Sequence, residues 1–94
     1  MNGYRIFETE GFLEDLEKDF RGRQEKIKAK LKNYAYPKLR KQPYFGSQIV
    51  KLTGQEHDTW RYRIGEWRFF YEIDKDKKIV FMTAADDRGK VYKK

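Results

Sequence analysis

Two alternating runs, Trp60 to Ile64 and Trp67 to Ile73, are separated by only Gly65 and Glu66. This constrains the fold more than any other feature of the chain. A Gly-X pair between alternating segments predicts a β-hairpin closed by a type II′ turn, because glycine supplies the positive φ that the turn requires. With a two-residue loop the register is set: Ile64 faces Trp67, Arg63 faces Arg68 and Arg61 faces Phe70. Successive side chains of a strand point to opposite faces. Trp60, Tyr62, Ile64, Trp67, Phe69 and Tyr71 therefore share one face, and Arg61, Arg63 and Arg68 share the other. Like charges opposed across strands cost a few tenths to about 1 kcal/mol. A sheet that accepts this cost suits an anion, phosphate above all, held by several guanidinium groups. The alternative is a solvated outer face, where screening removes most of the repulsion.

The remainder of the chain divides around that hairpin. Tyr4 to Glu8 alternates as a short strand. Thr9 is placed to cap a helix, and Phe12, Leu13, Leu16 and Phe20 recur at three- and four-residue steps. After Gly22, the positions Ile27, Leu31, Tyr34 and Ala35 predict a second helix. Lys26 to Lys32 also alternates strictly, but Lys, Ala, Leu, Gln and Glu dominate and β-branched residues are scarce, which favours helix. Pro37 is expected to end it, since the residue before proline is driven from the α region. Pro37 to Gly46 then reads as a basic connector and Ser47 to Leu52 as a strand. A turn is expected at Thr53 to Asp58, the hairpin follows, and Asp74 to Lys77 reads as a polar turn. Lys78 to Thr83 is a final strand, apolar enough to be central. The expectation is an α+β domain spanning 1–94: an N-terminal strand and two helices packed on an antiparallel meander.

Ninety-four residues make a small core, in which the 17% aromatic content supplies large buried surfaces. No stretch approaches the roughly 20 apolar residues of a membrane span, and the N-terminus lacks signal-peptide character, so the chain reads as cytoplasmic and no membrane partner is expected. There are no cysteines, and a lone His57 in a polar stretch cannot build a transition-metal site, so no metal or cofactor is expected. Residues 1–20 carry two positive and six negative side chains, whereas 21–51 carry ten positive side chains and one acid, Glu25. A basic stripe with an acidic patch elsewhere suits oriented docking on a polyanion, though such a run can also be a solubilising helix face.

The string Tyr62 to Ile73 resembles the hairpin of the RelE/ParE toxin superfamily. Arg88-Gly89-Lys90-Val91-Tyr92 is similar to the terminal Arg-x-x-x-Tyr of its members, and Gly46 to Leu52 to the strand before the hairpin. The resemblance covers essentially the whole chain. It implies the RelE-like, microbial-ribonuclease-like fold and a toxin of a type II toxin–antitoxin system, of the kind associated with plasmid stabilization. An antitoxin would neutralise the chain by wrapping it, giving a toxin–antitoxin heterotetramer. RelE-like members cleave mRNA on the ribosome without a metal; ParE-like members poison DNA gyrase and lack the cleavage residues.

Carried over residue by residue, Arg68 matches the arginine that binds the scissile phosphate. Arg61 and Arg63 fall where the family has basic residues on the neighbouring strand. Arg88 and Tyr92 match the terminal arginine and tyrosine. Where many members have His or a basic residue before that arginine, this chain has Asp87. Metal-free cleavage needs a base for the 2′-hydroxyl, cations for the phosphorane and an acid for the leaving oxygen. Arginine, with a pKa above about 12, is a clamp and a poor base, so Tyr92 or Asp87 is the candidate proton carrier. Tyr92 reads equally as an aromatic sealing the core, and Asp86-Asp87 as a turn or cap without chemistry. Lys28, Lys32, Lys38, Arg40, Lys41 and Lys51 form the expected RNA- or ribosome-docking set. Phe70, with Phe81, is the candidate for base stacking on the basic side. Because Arg68 opposes Arg63, its removal is expected to cost the fold little.

Overall fold

The structure, a computed structural model, describes residues 3–52 and 58–87. Five strands, β1 (Arg5–Glu8), β2 (Ile49–Leu52), β3 (Thr59–Ile64), β4 (Trp67–Asp74) and β5 (Ile79–Asp86), form one sheet in the order β1-β5-β4-β3-β2. β2 to β5 are antiparallel neighbours in sequence, and β1 adds parallel to β5 with Phe7 opposite Phe81. The apolar β5 is thus interior, as its composition predicts. Among the described residues no helix is long and apolar enough to cross a membrane.

Helix α1 (Glu10–Asp19) begins where Thr9 Oγ1 accepts a hydrogen bond from the Phe12 N–H at 3.3 Å and donates to the Met82 carbonyl at 2.8 Å. One hydroxyl therefore caps the helix and pins it to β5. The second helical segment consists of α2 (Gln24–Lys30), a π-turn over Leu31–Ala35, and α3 (Tyr36–Lys41), with right-handed helical dihedrals at both joins. The helix does not stop at Pro37 as expected. Pro37 falls in the first turn of α3, directly after the π-turn, where the Tyr36 N–H reaches back to the Leu31 carbonyl. A proline in a regular helix clashes with the carbonyl four residues earlier, and the wider turn removes that clash. The connector consequently starts at Gln42, not Pro37.

The π-turn also explains the burial pattern. Ile27, Leu31, Ala35 and Leu39 are all buried at four-residue spacing. Four residues advance an α-helix by about 400°, so such a row drifts about 40° per step. A turn bonded i to i+5 holds more residues and returns the row toward the sheet. These side chains join Phe12, Leu16 and Phe20 of the first helix and Tyr62, Phe69, Tyr71, Val80 and Met82 of the sheet in one core. Trp60, Ile64 and Trp67 pack against its margin on the face the sequence assigned them.

Several boundaries shift. β2 starts at Ile49, and the expected turn at Thr53 to Asp58 lies largely outside the described residues. Asp74 ends β4 and its carboxylate accepts from the Lys77 N–H, while Lys78 belongs to the turn with φ +57°. β5 runs on to Asp86, beyond the expected end at Thr83.

Four tyrosine hydroxyls titrate above their ordinary value. Burial is the first cause for each: it raises Tyr36, Tyr62 and Tyr71, and pushes Tyr44 up to about 12. Tyr36 also donates to Glu8 Oε2 at 2.6 Å, Tyr71 donates to the Pro43 carbonyl at 2.9 Å, and the Tyr44 hydroxyl lies 3.1 Å from that of Tyr4. Raised folded-state values mean that this stabilisation is complete below about pH 10, where unfolded tyrosine ionises, and is lost as pH climbs beyond it. The tyrosinate absorbance of these four hydroxyls and the circular dichroism, followed together, are expected to change in one cooperative alkaline transition. Ionisation of all tyrosines near pH 10 with unaltered dichroism would contradict this.

Candidate active site

Gly65 has φ +59° and Glu66 does not have a positive φ, the pattern of a type II′ turn. The register follows: Ile64 pairs with Trp67, Arg63 with Arg68, and Arg61 with Phe70. Arg61, Arg63 and Arg68 consequently lie together on the sheet face opposite the helices, which no helix among the described residues covers. Arg63 is exposed and its Nε donates to the Gly65 carbonyl at 2.9 Å, fixing the guanidinium over the turn. Arg61 is half-buried, and its enclosed Nε makes no hydrogen bond with a described residue.

Arg68 is held differently. Its Nε lies 3.4 Å from Asp86 Oδ2, with side chains only 11% and 1% exposed. Asp86 is opposite Arg68 in the β4–β5 register. Simple alternation would not place it there: Val80 and Met82 face the core, so counting in twos sends Asp86 inward. A bulge prevents this. Phe70 pairs with Ala84 but Tyr71 with Met82, leaving Thr83 as the extra residue, and the Thr83 hydroxyl donates to the Phe70 carbonyl at 3.3 Å. Beyond the bulge the faces are exchanged, so Ala85 packs in the core and Asp86 meets Arg68. The reading of Asp86 as a turn or cap is therefore corrected, and Arg68 has a buried partner that the cross-strand opposition to Arg63 did not include.

Asp87 is engaged elsewhere. It accepts from Arg23 Nη2 at 2.9 Å, and Arg23 also donates to the Asp19 carbonyl and covers the Phe20 ring. Asp87 thus ties the end of β5 to the α1–α2 corner. Nearby, Asp15 Oδ2 accepts from the Ala85 N–H at 3.0 Å, closing the edge of β5 past the end of β1. Glu72, on the arginine face, makes no ion pair with a described residue; it follows Phe70 by two positions and pairs in register with Phe81. Phe70 is half-buried among the arginines, and Phe81 meets the exposed Phe7 edge to face at 5.6 Å. Arg88 and Tyr92 lie outside the described residues.

The expected docking set does not form one surface. Lys28 is beside Glu17 and Glu25 in a groove between α1 and α2. Arg40 covers the Tyr36 ring, and Lys32 and Lys41 are exposed along the same helical segment. Lys51 projects on the core side of the sheet, over Trp60 and 3.6 Å from Asp58, so it is separated from the arginines. Only Lys38 reaches the hairpin, in a groove with Lys30, Tyr34, Gln48 and Arg63. Lys26, Lys30 and Tyr34 were missed by sequence reasoning, although they share the four-residue spacing of the buried row beside them.

Comparison with solved structures finds the same architecture. The chain is similar to a chain of the RelBE2 toxin–antitoxin complex from Mycobacterium tuberculosis, at 25% identity over 94% of both chains and a TM-score of 0.74. It is similar in fold to a mutant Escherichia coli RelE toxin in the free state, at 18% identity over 97% of this chain and 88% of that one, with a TM-score of 0.63. A chain of the RelB–RelE complex from Methanococcus jannaschii gives 18% identity, 93% and 95% coverage and a TM-score of 0.60. No protein-family model and no curated protein sequence matches. With likeness running end to end over both chains, five strands and two helical segments in the expected order, and the hairpin in the expected register, the chain has the fold of the RelE-like toxins and resembles that superfamily over its whole length.

Proposed function

We propose that this chain is the toxin of a type II toxin–antitoxin pair, acting in the cytoplasm as a ribosome-dependent, metal-free endoribonuclease on mRNA. The observation that carries the reading is the gathering of Arg61, Arg63 and Arg68 on the sheet face opposite the helices, with Arg63 opposed to Arg68. Those guanidinium groups neutralise the charge that develops on the scissile phosphate as the 2′-hydroxyl attacks. Asp86, opposite Arg68 in the sheet, holds the guanidinium on this face. Arg88 adds charge, and Tyr92 is the candidate to move the proton. Antitoxin chains accompany the toxins in the similar RelBE complexes, and a cognate antitoxin is the proposed partner here, in a heterotetramer. Purified protein added to translating ribosomes is expected to cut mRNA, read as new primer-extension stops that require the ribosome.

One feature favours a second reading. Among the described residues, the carboxylates next to the arginines at the end of β5, Asp86 and Asp87, are both ion-paired. Carboxylates engaged in this way at the end of β5 suit a ParE-like toxin of DNA gyrase, in which the arginines make binding contacts only. Intact mRNA together with blocked gyrase supercoiling would establish that reading in place of the first.

A further inference from the structure

The hairpin tip and the second helical segment enclose a groove that the arginine face does not include. One part, of about 330 Å³, is lined by Lys30, Tyr34, Lys38, Gln48 and Arg63; a second, of about 480 Å³, continues along Lys26, Lys30 and Trp67. Lys30, Ile64 and Gly65 line both parts, so the groove is continuous. Its lining carries Lys26, Lys30, Lys38 and Arg63 against one acid, Glu66. Tyr34 is 57% exposed, and the Lys30 ammonium lies 5.4 Å from its ring centroid. The row Lys26, Lys30, Tyr34, Lys38 stays turned to the hairpin because the π-turn corrects its drift, as it does for the buried row alongside. Arg63 belongs both to this groove and to the arginine face, so a strand leaving the arginines has a continuous cationic path around the hairpin.

We infer that this groove is a binding track for single-stranded RNA, in which Tyr34 stacks on a base while Lys30, Lys38 and Arg63 hold successive phosphates. The inference rests on the RNA reading of the arginine face and deepens it by naming where the strand continues. Four cations on one strip match a phosphodiester backbone, and an exposed ring beside them matches an unstacked base; a duplex offers the phosphates but keeps its bases stacked away from the ring. Arg63 fixed by Gly65, rather than mobile, suits a directional contact at the point where the two surfaces meet.

The test is fluorescence anisotropy of the full chain with a labelled single-stranded RNA oligonucleotide, with the same sequence as a duplex, and with polyglutamate as an acidic competitor. Wild type is expected to prefer the single strand. Tyr34→Ala is expected to weaken that binding about 5- to 150-fold, the loss typical of one stacked base, with an unchanged salt slope. Lys30→Ala with Lys38→Ala is expected to lower the salt slope by about 1.4, two phosphates at about 0.7 each. The exposure of Tyr34 makes a folding defect unexpected, and circular dichroism checks it. Equal binding by Tyr34→Ala, preference for duplex, or polyglutamate binding that depends on Tyr34 would each overturn the groove assignment. Failure here with ribosomal cleavage intact removes the track alone, whereas Tyr34-dependent RNA binding without cleavage removes the nuclease reading and leaves the track standing.

Discussion

Arg68→Ala is expected to lose about 3–5 kcal/mol of stability, the range found when one partner of a buried ion pair is removed. The arithmetic favours the pair over the cross-strand repulsion. Opposed arginines cost at most about 1 kcal/mol, and Arg63 is exposed enough for solvent to reduce that further. Asp86, by contrast, is 1% exposed, so truncating Arg68 removes the cation opposite a buried carboxylate. A loss of that size consumes much of the roughly 5–15 kcal/mol that holds a small protein folded. Urea unfolding provides the measurement, and Arg68→Met combined with Asp86→Leu provides the control. The double variant removes both charges and is expected to recover most of the loss. A single variant as stable as wild type would show that the pair contributes little.

Arg63→Ala is the cleaner probe of chemistry, and its expected result is a drop of about 100- to 1,000-fold in cleavage on ribosomes, corresponding to about 2.7–4 kcal/mol of transition-state stabilisation. The side chain is exposed, its one described hydrogen bond is to the neighbouring turn, and its removal relieves the opposition to Arg68. Stability is expected to stay within about 0.5 kcal/mol of wild type. The effect should fall on the rate at saturating ribosomes, since a contact to the scissile phosphate strengthens as charge develops. An effect confined to ribosome affinity would make Arg63 a docking residue. Arg63→Lys keeps the charge and loses the planar fork, so an intermediate rate is expected.

The hairpin was legible from sequence because a two-residue glycine turn admits few registers, and the register dictates which side chains share a face. The arginine cluster followed without further information. Two other features were hidden for the same reason, a single residue out of phase. Thr83 is the additional residue in β5, and nothing in Met82-Thr83-Ala84-Ala85 distinguishes a bulge from regular alternation, so the partnership of Asp86 with Arg68 could not be read. In the helical segment, Pro37 looked like a terminator because an α-helix was assumed. The clue lay in Ile27, Leu31, Ala35 and Leu39, a four-residue apolar row too long for a straight α-helix to keep buried.

The parallel pairing of β1 with β5 has a consequence for the order in which the molecule comes into being. Among the described strands the first has its sheet partner in the fifth, and the position between β1 and β4 stays vacant until Ile79 to Asp86 has been synthesised. Asp86, which steadies Arg68, and Asp87, which clasps Arg23, belong to that final stretch. A nascent chain that has already produced the hairpin therefore still lacks the support behind its arginines. Assembly of the arginine face is thus deferred until β5 has been made, and a chain interrupted before β5 lacks the Arg68–Asp86 pair. Refolding should show the same dependence: closing contacts between the two ends of a chain is slow compared with forming its helices, and the arginine face should be among the last parts to gain protection from hydrogen exchange.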